Sequence, residues 1–163
     1  MTAYDTADWH DLLVASAGAA AALTGLVFVA VSINIDRILR HKGLPERGLQ
    51  TVLVLLGAVV VSLFGLIPQS TTALGVELLV TGLVLAAFFA ATARTTLSGT
   101  RTHPGWWLSR LVATVPAYVP YAIAGVSLLV GAGGGLRWLA VGLVGAFVGG
   151  VVTAWVLLVE ILR

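Results

Sequence analysis

From Leu12 to Ile35 the chain runs without one charged side chain, and that feature decides what can surround it. A helix needs about 20 apolar residues to cross a hydrocarbon core ~30 Å thick. Four further stretches qualify: about 48–67, closed by Pro68; about 73–93, with one acid, Glu77; about 111–131; and about 138–159. Lipid tolerates no unpaired backbone groups, so spanning segments are helices or closed barrels. Barrel strands alternate strictly over ~10 residues, and these runs do not. The expected fold is an all-α membrane protein, a single domain over 1–163 built as a bundle of about five transmembrane helices. Charged residues make up 10% of the chain, against about 25% in soluble domains. So little charge cannot cover a water-facing surface, and the expected location is the cell (plasma) membrane, crossed several times.

Loop charges then set an orientation. Cytoplasmic loops are enriched in Lys and Arg. Arg37, Arg40, Lys42 and Arg47 follow the first span, Arg94, Arg101 and Arg110 follow the third, and Arg163 follows the fifth; only Arg137 falls on the other side. The expected topology is N-terminus outside and C-terminus cytoplasmic. Trp9 and Trp138 then mark the outer interface, Trp106 and Trp107 the inner one. Asp5, Asp8 and Asp11 make the leader acidic. A signal peptide starts with a basic region, so the first span is expected to be retained.

Several function classes lose support at once. Cysteine is absent, which removes thiol chemistry and thiolate metal sites. The basic residues are split among short loops, whereas a nucleic-acid footprint needs a concentrated basic face. His10 falls outside while His41 and His103 fall inside, so they cannot converge on a zinc ion, which needs three or four ligands. The glycine-rich turn 131–135 is followed by no Gly-Lys-Ser/Thr and is expected to be a tight hairpin. No cofactor, metal or catalytic residue is expected. Glu77 and Glu160 belong to opposite leaflets, too far apart for joint acid–base work.

The remaining candidates are polar or small. Glu77 lies about one turn inside the outer surface, where an ionisable group is a functional candidate; it equally suits the positive end of a helix capped by Ser70, Thr71 or Thr72. Asn34, beside Ser32, is placed to make a structural bond at the end of the first span. Glu160 is placed to pair with Arg163. Small residues let membrane helices approach closely. Gly18, Gly25 and Ser32 recur every seven residues in the first span, and Gly142, Gly145 and Gly149 form a second seam in the fifth. Both are expected to pack chiefly within the bundle. Pro116 and Pro120 each remove a helix hydrogen bond, making the fourth span a kink or hinge, with Tyr118 and Tyr121 beside it.

Trp9-His10-Asp11, then Gly18 through Asn34 (GAAAALTGLVFVAVSIN), then Leu44-Pro45-Glu46-Arg47 resemble a family of small actinobacterial integral membrane proteins. The resemblance is strongest from about residue 9 to 68. A single lysine against eight arginines suits the GC-rich genomes of such bacteria. Members are sometimes labelled "modulator of FtsH protease", which implies an accessory to a membrane-bound protease. The better-known modulators of that protease have seven spans and buried paired aspartates, and this chain has neither. The expected function is an accessory or interaction partner, in contact with lipid and with other membrane proteins or itself. The alternative is a homo-oligomeric channel or small transporter using Glu77 and the kinked fourth helix.

Overall fold

The computed structural model describes residues 3–40, 44–97 and 104–159, with side chains over 3–40, 44–92 and 115–156. Among them the regular structure is entirely helical. A short 3-10 turn (Thr6–Trp9) leads into α1 (His10–Ile33), followed by α2 (Ile35–Arg40), α3 (Leu44–Leu66), α4 (Thr71–Leu97), α5 (Pro104–Val130) and α6 (Leu136–Val159). Four segments are long and apolar enough to cross a membrane: Thr6–Ile33, Leu44–Leu66, Thr71–Thr92 and Leu136–Val156. Within α5, Val115–Val130 forms a shorter apolar helix.

Local chemistry explains most of the ends. Asn34 breaks the chain between α1 and α2 at φ −106°, and its carbonyl accepts from the Arg37 and Ile38 N–H groups. α3 and α5 both carry proline in the first turn, Pro45 and Pro104, where the missing N–H costs nothing. α3 thus starts earlier than the apolar run alone implies, and Arg47 lies inside the helix. It stops at Leu66, short of Pro68, as helices do before proline. Ser70 caps α4, its hydroxyl accepting from the Ala73 N–H at 3.2 Å.

The C-terminus of α5 closes as a Schellman motif. Gly131 sits at φ 70°, and the Ala132 N–H reaches back to the Ser127 carbonyl at 3.2 Å. Gly133, Gly134 and Gly135 also have positive φ, a backbone open to glycine at little steric cost. The expected tight hairpin is present.

The helices run antiparallel in sequence. Leu13 packs on Gly65 and Val31 on Gly48, pairing α1 with α3; Leu85 lies on Gly57, pairing α3 with α4. α5 lies between α4 and α6, and α3 touches α1, α4 and α6. The starts of α1, α4 and α6 therefore share one end of the bundle, the N-terminal face, with the ends of α3 and α5. The main core runs through all the long helices. A smaller cluster, Val27, Ala30, Ile38, Leu55 and Ala154, closes the opposite end.

Candidate functional site

Glu77 is half-buried in α4 near the N-terminal face. The Gln69 side-chain amide donates to its Oε2 at 2.7 Å and also to the Phe64 carbonyl at 2.8 Å. Gln69 therefore ties the last turn of α3 to the first turns of α4, with Glu77 as its acceptor. Thr81 returns its hydroxyl to the Glu77 carbonyl at 2.8 Å. This arrangement is a loop clamp, and Gln69 is its unforeseen member. Its only advance sign is a polar amide next to a helix end with orphan carbonyls.

Asn34 is 7% exposed. Its side-chain amide donates to the Ala30 carbonyl at 3.2 Å while its own carbonyl opens α2, so it serves as a helix-terminal residue. Glu160 and its expected partner Arg163 lie outside the described residues, as do His41, Lys42, Arg101 and His103 and the side chains of Arg94, Trp106, Trp107 and Arg110.

The two proline positions interrupt α5 less than their chemistry suggests, because the helix continues from Pro104 through Pro116 and Pro120 to Val130. Pro120 leaves the Pro116 carbonyl without its usual N–H donor. That carbonyl lies directly against Gly145 of α6, in the position of the weak Cα–H···O contacts found between close helices. Tyr121 is fully buried, and its ring fills the space over Gly142: a Cβ added there would come within 2.5 Å of the ring. Its hydroxyl has no hydrogen-bond partner among the described residues. Tyr118 stacks on Phe89 with ring centroids 5.1 Å apart. The tyrosines thus act as packing against α6 and α4.

The two predicted glycine seams separate here. Gly142 and Gly145 pack within the bundle as expected. Gly149 is half-buried, its carbonyl accepting from Thr153, while the adjacent Gly150 meets Leu55. Gly18, Gly25 and Ser32 do not pack within the bundle. All three are exposed, and a Cβ added at Gly18 or Gly25 would find no heavy atom within 4 Å. The buried face of α1 is Leu13, Ser16, Ala20, Val27 and Ala30, about half a turn away around the axis at ~100° per residue. Expecting the glycine stripe inside the monomer is therefore a correction the structure makes. α1 carries two stripes of small and apolar residues, and the bundle uses the other.

A further close helix contact joins α4 and α5, through glycines not among the two seams. Gly75 and Gly82 of α4 face Gly125 and Ala122 of α5. A Cβ on Gly125 would lie 2.6 Å from both the Gly75 carbonyl oxygen and the Leu79 nitrogen, and one on Gly82 would lie 2.7 Å from the Ala122 nitrogen. These helices meet backbone to backbone, the use of small residues expected in lipid. Near the opposite end, Gln50, 3% exposed, donates its side-chain amide to the Thr92 hydroxyl at 2.7 Å. That hydroxyl lies within reach of the Phe88 and Phe89 carbonyls. It is a polar bond between α3 and α4, detectable in sequence only as a lone glutamine at the edge of an apolar run.

Among the described residues no three of His, Asp and Glu are grouped to hold a metal ion. No family model matches the chain, and neither a curated protein nor a solved structure is similar to it.

Proposed function

We propose that this protein crosses the plasma membrane five times, N-terminus outside and C-terminus inside, and works as an accessory that binds other membrane proteins laterally. The observation that carries this reading is the outward face of α1. Gly18, Ala22 and Gly25 expose the helix backbone, flanked by Val29 and Ile33, 51% and 72% exposed. A second helix can approach such a surface closely, and van der Waals packing at short range is what drives association in lipid.

The fifth span is supported by α5, which runs from Pro104 to Val130, the length of its four apolar neighbours. The orientation is supported by charge. Asp5, Asp8 and Asp11 lie at the N-terminal face, while Arg37, Arg40 and Arg47 lie at the opposite end; cytoplasmic segments carry the basic excess. The reading contains no catalytic role. The resemblance over residues 9 to 68 makes a membrane-bound protease the first partner to test. The channel alternative draws less support, because Glu77 is engaged by Gln69 and Asn34 by its own helix.

The test is mild-detergent purification of tagged protein from its native membrane, compared with Gly25→Leu and read by mass spectrometry. A second protein in fixed ratio, lost in Gly25→Leu, is the expected result. A partner retained by Gly25→Leu would move the contact elsewhere. A pure homo-oligomer whose liposome flux changes in Glu77→Gln would replace the accessory reading with a pore.

A further inference from the structure

The first residues of the chain do more than lead into α1. The Leu136 N–H donates to the Ala3 carbonyl at 2.7 Å, and the Gly134 N–H donates to the Tyr4 hydroxyl at 3.2 Å. Gly135 lies directly against Ala3. Helix N-termini need acceptors for their first N–H groups, normally Ser, Thr, Asp or Asn at the cap. α6 is preceded by Gly133-Gly134-Gly135, which offers no such side chain. The Ala3 carbonyl supplies the acceptor from the far end of the sequence. The segment is itself anchored: Asp5 accepts from the Ala7 N–H at 3.0 Å, and Tyr4 and Trp9 pack against the main core.

α1 buries side chains toward both of its ends. Toward the N-terminal face its buried side chains are Leu13, Ser16 and Ala20, two of them small. At the other end Val27 and Ala30 are joined, across the Asn34 break, by Ile38 in the second cluster. Between Ala20 and Val27 the inward side chains Leu23 and Thr24 are half-buried, Leu23 packs against the second cluster, and Gly25 lies on the exposed side. Glycine in a helix interior weakens it by roughly 0.5–1 kcal/mol relative to alanine.

We infer that residues Ala3 to Trp9 form a clasp that holds the N-terminal face closed, and that the first half of α1 leaves α6 when the clasp opens, bending near Gly25. The inner half stays docked on the second cluster. The clasp is independent of which partner the exposed face of α1 binds.

The absence of cysteine makes the test clean. Spin labels go on exposed positions of the full-length protein in bilayers, one pair through Val14→Cys and Val141→Cys, a second through Ile33→Cys and Trp155→Cys, all four outside the core. Tyr4→Ala should give the Val14–Val141 pair a longer second population and leave the Ile33–Trp155 pair unchanged. An unchanged Val14–Val141 distance overturns the clasp. Lengthening of both pairs also overturns it, because the segment would then support the whole fold. If Tyr4→Ala does not fold, Tyr4→Phe decides: it removes one acceptor and should speed hydrogen exchange at Gly134 roughly tenfold, the worth of one hydrogen bond. Unaltered exchange there would overturn the inference.

Discussion

Gly18 and Gly25 in α1 and Gly75 and Gly82 in α4 are each seven residues apart in strongly apolar helices. At the first pair an added Cβ would meet nothing within 4 Å; at Gly82 it would come within 2.7 Å of the Ala122 backbone. The same spacing is an outer surface in one helix and a backbone-to-backbone internal contact in the other. What differs is the partner's surface. α5 presents Ala122 and Gly125 opposite α4, so two backbones meet. α3 presents Gly48 and Gly65 to α1, and Val31 and Leu13 of α1 fill the space over them, so the glycine-free face of α1 turns inward.

That contrast can be broken most sharply at Gly125. Gly125→Leu places a branched side chain on the backbone of Gly75 and Leu79 and should cost at least ~3 kcal/mol, the upper range for overpacking. Reversible unfolding in detergent measures it, and a wild-type midpoint would mean that α4 and α5 are not in backbone contact. Gly142→Ala tests the neighbouring α5–α6 seam. The Tyr121 ring must shift, for about 1–2 kcal/mol, and the same unfolding experiment should show a smaller loss than Gly125→Leu.

Gln50→Leu should cost about 1 kcal/mol, the scale of an interhelical hydrogen bond in membranes. Thr92→Val should reproduce the loss, and the double variant should show that the two are not additive. Gly25→Leu completes the comparison from the other side. Its effect on unfolding should fall within about 0.5 kcal/mol, as for substitutions away from packed features, while the co-purifying partner is lost. A large unfolding effect would place Gly25 inside the bundle after all.

The helices themselves were legible because their cause is one-dimensional. Long uncharged runs must be helical in lipid, and Pro45, Pro68, Pro104 and the glycine turn punctuate them wherever they pack. The clamp residues were half legible. Glu77 and Asn34 stand out as polar groups in apolar runs; Asn34 bonds to Ala30 one turn back in its own helix, but Gln69 emerges as the partner of Glu77 only when the loop between α3 and α4 takes up its position. The glycine faces were legible as stripes and illegible as directions. In water, polarity marks the outward face of a helix; here both faces of α1 are apolar, and lipid attracts neither more than the core does.

The sequence by itself therefore determined the solvent, the helical class and the punctuation between spans, since each follows from the chemistry of a continuous segment. The tertiary structure alone decided which small residues touch, that Tyr121 covers Gly142, that α1 turns Gly18 and Gly25 outward, and that Ala3 caps α6. Those outcomes depend on shape complementarity between segments far apart in the chain, and no local pattern encodes which of two equally apolar faces will find the better-fitting neighbour.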